Sequence, residues 1–110
     1  MPKYVCFMRS APAGAPPQPP SPDELREMMA SFTAWRDKFK DQLVDIGGKL
    51  KSSGKVVRTS GVTDGPFVEM KEIIAGYMVV SADSYEGAIE IAKQSPGFKP
   101  GASLEIREIG

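Results

Sequence analysis

The charged residues best suited to chemistry lie together in the middle of the chain, around the segment DGPF at residues 64–67. They are Asp64, Glu69, Lys71 and Glu72. If the chain after this segment is extended, Glu69 and Lys71 share one face, because side chains alternate along a strand. Asp64 or Glu69 could then act as a general base, while Lys71 binds or polarises an anionic or carbonyl oxygen. This pattern predicts a site for a cofactor-free lyase or isomerase, with Glu72 as a ligand-binding residue.

The same segment also has a purely structural interpretation. Asp-Gly is a common turn signal, Pro66 fixes the backbone after it, and Phe67 is large enough to fill part of a core. On this interpretation Gly65, Pro66 and Phe67 form a structural motif that starts the next strand correctly. The sequence leaves both interpretations open.

Residues elsewhere in the chain limit the chemistry further. Arg9 follows a short apolar run and would add a second cation if it approached the same site. The sequence contains no His, which excludes Ser-His and Cys-His nucleophile pairs and histidine zinc sites. Cys6 is the single cysteine and, with no His to activate it, is predicted to be a buried core thiol. We therefore predict neither a metal ion nor an organic cofactor.

Length and charge balance limit the domain organisation and the partners. The chain has 110 residues, 41% of them hydrophobic, which is enough for one domain with one core. It carries 14 basic and 14 acidic residues, so no positive surplus supports direct binding to nucleic acid. Neither a signal-peptide pattern nor a long apolar run is present. We expect a single cytoplasmic domain over residues 1–110 that does not bind a membrane.

The first half of the chain predicts a strand, a loop and a long helix. Residues 4–8 form a short apolar run typical of a strand. Residues 11–20 are rich in Pro, which removes backbone donors and fixes φ, so they are predicted to form a surface loop. Ser21 caps a helix whose apolar residues keep helical spacing as far as Ile46, with Gly47-Gly48 ending it. This stripe, including its Met and Trp side chains, is interpreted as packing against a core.

The second half predicts three further strand regions and a second helix. Residues 49–63 favour a hairpin that contains two adjacent Val, and residues 73–80 are apolar on both alternating faces, as in a buried strand. Asp83 or Ser84 caps a helix over residues 85–94, and residues 103–109 alternate as a half-buried strand does. The β-α-β-β-α-β order predicts an α+β ferredoxin-like fold, with an antiparallel sheet and two helices on one face.

Several motifs in these elements resemble one protein family. The segment DGPFVEMKE at residues 64–72, the helix openings SPDE at 21–24 and DSYE at 83–86, and LEIR at 104–107 are similar to the DGPF branch of the YCII-related domain family. The resemblance implies a ferredoxin-like fold, a dimeric α/β barrel-like assembly, and an activity that is unassigned for most members.

Two functional hints come with the resemblance. A related branch includes a dehydrochlorinase for a chlorinated hydroxyquinol, thought to use a His near the start of the first helix and an Asp before a Pro after the second. Glu24 and Ser95 stand at the matched positions here, so that mechanism does not carry over, and Glu24 is kept only as a candidate ligand-binding residue. DGPF members are also associated with bacterial alternative sigma factors. This implies an alternative function as a non-catalytic regulatory or protein-interaction module linked to transcription.

We expect a homodimer that binds a small molecule. Two strands that are apolar on both alternations leave a hydrophobic sheet face, and a second subunit is the simplest cover for it. The predicted contact involves Val5, Phe7, Ile74 and Met78. The ligand is expected at a cleft near the DGPF motif, where Asp64 and Lys71 should lie within reach of each other.

Overall fold

The computed structural model describes residues 1–10, 21–51, 53–65 and 73–110. The predicted loop at 11–20 and the residues from Pro66 to Glu72 lie outside this described part. Six strands and two helices follow one another along the chain. They are β1 (Lys3–Ser10), α1 (Pro22–Lys38), β2 (Leu43–Lys49), β3 (Gly54–Arg58), β4 (Gly61–Gly65), β5 (Ile73–Ser81), α2 (Tyr85–Lys93) and β6 (Ser103–Glu108).

Four strands form the main sheet, in the order β2-β5-β1-β6, and every neighbouring pair is antiparallel. Strands β3 and β4 form a separate two-stranded sheet. The chain is therefore an α+β protein with a mainly antiparallel sheet, which confirms the predicted fold class. Its element order is compatible with the ferredoxin-like arrangement.

The core lies between one face of this sheet and the two helices. Alternation along β1 turns Tyr4 and Cys6 to this face, and β5 places Val80 and Met78 opposite them. All four are buried, with Tyr4 at 2% and Val80 at 0% exposure. Helix α2 adds three buried side chains, and α1 adds one. These are Ala88, Ile91, Ala92 and Trp35. Met78 was predicted to lie in the dimer contact, but it packs under the helices instead.

Side-chain caps define where both helices begin. The hydroxyl of Ser21 accepts a hydrogen bond from the backbone N–H of Glu24 at 3.2 Å, as the sequence predicts. Ser84, one of the two predicted caps, accepts from the N–H of Gly87 at 3.3 Å. Each bond satisfies a donor that the first turn of a helix leaves free.

The predicted extent of the first helix was wrong. Helix α1 ends at Lys38, and the residues from Leu43 to Lys49 form β2 instead. Their apolar side chains have helical spacing, but Leu43 lies opposite the buried Val80 in the sheet. Pairing with β5 satisfies the backbone donors and acceptors on one side of this edge strand, so tertiary structure overrides the local pattern.

Most of the apolar stripe on α1 does not face a core. Trp35 is the buried side chain of this helix, whereas Leu25, Met28 and Met29 are 47%, 48% and 63% exposed. The helix therefore contacts the core mainly through its second half, and its first half extends beyond the packed region.

The hairpin predicted within residues 49–63 is confirmed as β3 and β4. Thr59 and Ser60 join the strands, and Val57 lies opposite Val62. Both Val side chains are exposed, at 74% and 62%. An isolated two-stranded hairpin is only marginally stable in water. In the described part of the chain, both Val side chains remain exposed to solvent.

Candidate functional site

A groove of about 780 Å³ opens between α1, the helix-covered face of the main sheet, and the loop that follows α2. This volume falls within the range of about 300–1,000 Å³ that is typical of small-molecule sites. Its wall is mainly apolar, with side chains from both the sheet and the helix. The main ones are Cys6, Met8, Met28, Phe32, Trp35 and Met78.

The apolar wall follows from the periodicity of its elements. Cys6 and Met8 are two residues apart on β1 and so share a face, while Met28, Phe32 and Trp35 lie on one side of α1 at helical spacing. Met28 was interpreted as packing, but it is half-exposed and lines the groove. Methionine is unbranched and flexible, so a wall rich in Met adapts to different apolar shapes.

Trp35 holds α1 in place beside the groove. Its side chain is 7% exposed, and its indole Nε1 donates a hydrogen bond to the backbone oxygen of Ile91 on α2 at 2.9 Å. Its ring also lies against that of Phe32, with the ring centres 5.9 Å apart. The indole thus joins the two helices at the same place where it forms part of the groove wall.

Two consecutive Pro-Gly turns form the opposite wall. In the first, the N–H of Phe98 donates to the backbone oxygen of Ser95 at 3.1 Å, and in the second the N–H of Ala102 donates to that of Lys99 at 3.0 Å. Proline presets φ at the second position of each turn, and Gly101, at the third position, has φ of 90°, as a type II turn requires. This sequence chemistry fixes the loop and thereby places Lys99.

An irregularity in β2 shapes the end of the groove near Lys49. A side-chain oxygen of Asp45 accepts a hydrogen bond from the N–H of Gly47 at 2.8 Å, and the register of β2 against β5 shifts on either side of Asp45. Gly47 has φ of 72°, and a Cβ there would lie 1.7 Å from the backbone oxygen of Tyr77. Only glycine fits this close approach, and Ile46 and Lys49 beside it line the groove.

Cys6 lies in the floor of the groove as a protonated thiol. It is 1% exposed, and burial raises the pKa of its thiol to about 11. At neutral pH the nucleophilic thiolate is therefore scarce. The prediction of a buried core cysteine is confirmed.

The charged residues of the described groove wall are all basic. Lys49 and Lys99 both contribute to it, and no Asp or Glu is among the described residues that line it. Ser95 adds a hydroxyl, which donates to the backbone oxygen of Ala92 at 2.7 Å and so helps to close the end of α2. The groove therefore has a mainly apolar wall to which two lysines belong.

The structure separates the predicted site residues that it describes. Asp64, on β4, forms an ion pair with Lys55 on β3, and its side chain is 83% exposed. Arg9 pairs with Glu105 at 3.1 Å on the face of the sheet away from the helices, and Glu24 is exposed in the first turn of α1. None of these three residues lines the groove.

Of the remaining predicted site residues, the structure describes Gly65 alone. Gly65 is the last residue of β4 and pairs with Gly54, whereas Pro66, Phe67, Glu69, Lys71 and Glu72 lie outside the described residues. The catalytic and ligand-binding functions assigned to the DGPF segment stay predictions. Within the described ranges, no cluster of three or more His, Cys, Asp or Glu could hold a metal ion.

Sequence analysis missed the groove although part of its signal was visible. The segment SPGFKPGA at residues 95–102 contains two Pro-Gly pairs four residues apart, which predict two turns in succession and place Lys99 between them. Lys49 gave no comparable signal, because its segment was interpreted as the end of a helix and the start of a hairpin.

Neither helix in the described part of the chain is both long and apolar enough to cross a membrane. No curated protein matches the chain. The family model for the YCII-related domain matches residues 2–109, almost the full length. The resemblance seen in the sequence motifs is thereby confirmed at the level of the family, and the chain belongs to the YCII-related domain family.

Proposed function

We propose that this protein binds a small apolar molecule in the groove between α1, the main sheet and the loop after α2. The observation that carries the proposal is the groove itself, which has the volume of a small-molecule site and a mainly apolar wall. Its wall comes from parts of the chain that are far apart in sequence and is fixed by the Trp35 hydrogen bond and by two Pro-Gly turns.

Of the two positions matched with the dehydrochlorinase branch, Ser95 lies in the groove and Glu24 does not. Ser95 stands at the position matched with the Asp of the related dehydrochlorinase branch, and it lines this groove. The proposal includes membership in the DGPF branch, which is supported by the sequence of residues 64–72.

The proposal is for binding rather than for a particular reaction. The ionisable side chains in the described wall are Cys6, Lys49 and Lys99, whereas the side chain of Tyr77 lies on the other face of the sheet. The predicted bases are not among them, because Asp64 lies in the hairpin and Glu69 lies outside the described residues. Lyase or isomerase activity and the regulatory alternative both stay predictions.

Titration with the neutral, apolar dye Nile red tests the binding proposal. Trp35 is the single Trp of the chain and lines the groove, so its emission should change as the dye binds and the dye's own emission increases. A Cβ added at Gly97 would lie 3.5 Å from the side chain of Met8, an ordinary contact on the groove wall. Gly97→Leu should therefore fold and weaken dye binding by at least about tenfold.

Gly54→Leu is the matched control, because a Cβ at Gly54 in the hairpin meets nothing within 4 Å. This variant should bind Nile red like the unchanged protein. Equal binding by all three proteins, or no binding by the unchanged protein, would contradict the proposal.

We also propose a homodimer that covers the face of the main sheet away from the helices. This face carries Val5 and Phe7, with Val79 and Tyr77 opposite them in the register. Val5, Phe7 and Val79 are only partly buried in the single chain, and Tyr77 is 38% exposed. A second subunit packed on this face would remove these apolar side chains from water.

Sedimentation at micromolar concentration tests the dimer. We expect a species of twice the 11.9 kDa chain mass, and we expect Phe7→Glu to shift it toward the monomer, because a carboxylate in an apolar interface is strongly disfavoured. Leu25→Glu on the exposed part of α1 is the control and should leave the dimer unchanged. A purely monomeric unchanged protein would refute this proposal.

A further inference from the structure

We propose that the ligand of the groove is an apolar anion, a molecule with an apolar body and one carboxylate or similar acidic group, bound through Lys49 and Lys99. The proposal rests on the proposed function and adds the chemical class of the ligand. Both lysines belong to the groove wall, and the described wall contains no carboxylate.

Their place in the groove wall distinguishes these two lysines, because other described lysines, such as Lys40 and Lys51, also form no ion pair with a described carboxylate but lie outside the groove. The chain is neutral overall, and several of its cations have a carboxylate partner. Such pairs are Arg9–Glu105, Arg26–Asp23, Lys55–Asp64 and Lys93–Glu90. Lys49 and Lys99 form no ion pair with a described carboxylate. Their ammonium groups are therefore available to a ligand.

The two lysines reach the groove from different elements. Lys49 is the last residue of β2, and Lys99 is the first residue of the second Pro-Gly turn. Both backbones are fixed, the first by pairing with Gly76 on β5 and the second by the hydrogen bond from Ala102. An acidic group that contacts either ammonium group would form charge-assisted hydrogen bonds, which are stronger than those between neutral groups.

The apolar wall strengthens the attraction between the lysines and an acidic group of the ligand. Opposite charges attract more strongly beside a surface of low dielectric constant than in bulk water. The apolar part of the ligand would contact Met8, Phe32 and Trp35 while its acidic group remains near the lysines. A neutral apolar molecule would gain only the first interaction, and a cation would be repelled.

Competition against Nile red tests the proposal with three compounds that share one apolar body. They are 2-naphthoate, 2-naphthylmethanol and 2-naphthylmethylammonium, which differ in charge. At low salt we expect 2-naphthoate to displace the dye at a concentration about tenfold lower than the alcohol, and the ammonium compound to be the weakest. Raising the salt concentration should reduce the difference.

The double variant Lys49→Gln/Lys99→Gln should reduce the preference for 2-naphthoate over the alcohol to less than about twofold. This preference is a ratio measured within one variant, so a change in Nile red affinity does not alter it. The control is Lys40→Gln/Lys51→Gln, which removes the same charge from two exposed lysines outside the groove and should keep the preference.

The outcomes separate this proposal from the proposed function. If Nile red binds in the groove but the three compounds compete equally, the anion proposal is wrong and the binding proposal stands. If both double variants lose the preference equally, general charge explains it and Lys49 and Lys99 are not the site. If dye affinity falls as protein concentration rises, a second copy of the chain occupies the groove, and both proposals are wrong.

Discussion

The groove has walls from six separate parts of the chain, whereas the β3–β4 hairpin pairs with itself and with no other described strand. The groove side includes the buried core, with Trp35 joining two helices. The hairpin exposes Val57 and Val62 and is held in part by the surface ion pair between Lys55 and Asp64. Yet the hairpin carries Asp64 and Gly65, the start of the most recognisable sequence motif.

The two regions differ in how the sequence encodes them, one as a contiguous motif and the other as residues far apart in the chain. A contiguous motif is easy to recognise, but the described part of it lies on an exposed element. The groove has no contiguous motif, because its residues come from the loop after α2 and from five elements, β1, α1, β2, β5 and β6. Substitutions should therefore have large effects on the groove side and small effects in the hairpin.

The largest effect is expected for Gly47→Val in β2. A Cβ at this position would lie 1.7 Å from the backbone oxygen of Tyr77, and φ of 72° is strained for a β-branched residue. We expect a loss of more than about 3 kcal/mol in the free energy of unfolding, measured by urea denaturation.

Gly48→Val is the matched control for this prediction. A Cβ at Gly48 meets nothing within 4 Å, although it is the next residue along the same strand. Similar losses for the two variants would mean that the close approach of β2 to β5 is not the reason for the glycine.

Trp35→Ala should have the next largest effect. The substitution removes a buried ring and the hydrogen bond from Nε1 to the backbone oxygen of Ile91. We expect the free energy of unfolding to decrease by about 3–5 kcal/mol. Unfolding is monitored by circular dichroism, because this variant lacks the single Trp of the chain. Trp35→Phe keeps most of the ring and should lose only about 1–2 kcal/mol. If the two variants were equally unstable, the hydrogen bond rather than the packing would hold α1.

A smaller effect is expected from the titration of Cys6. Burial raises the pKa of its thiol to about 11, so the folded state resists forming the thiolate while the unfolded state does not. The contribution of Cys6 is fully present below the pKa of the unfolded thiol, and it is lost as pH rises from about 9 toward 11. Urea denaturation of the unchanged protein and of Cys6→Ala should show a difference that changes only in this range. A parallel pH dependence in both would contradict the prediction.

The sequence could predict those elements whose pattern is local. The strand at 73–80, the helix over 85–94 and the caps Ser21 and Ser84 follow from short-range periodicity and capping chemistry, although Ile74 and Tyr77 of the strand are exposed. The interpretation of residues 39–46 as helix failed because the pairing of Leu43 with Val80 depends on the meeting of two distant segments.

The candidate site was harder to predict for the same reason. Pro96-Gly97 and Pro100-Gly101 were recognisable as turns, but nothing local indicates that they lie opposite Met28 and Phe32. A further obstacle was that the apolar stripe of α1 has the same spacing whether it packs in a core or lines a groove. Only the position of the helix relative to the sheet distinguishes the two.

The smallest effect is expected in the hairpin, for Asp64→Asn. The side chain of Asp64 is 83% exposed and that of its partner Lys55 is 67% exposed, so solvent weakens their attraction. We expect the free energy of unfolding to decrease by less than about 1 kcal/mol and the Nile red affinity to stay unchanged. A double-variant cycle with Lys55→Gln isolates the ion pair, and its coupling energy should decrease with added salt. If Asp64→Asn weakened dye binding while leaving stability unchanged, the hairpin and the groove would act as one site, and the predicted function of the DGPF segment would gain its first direct support.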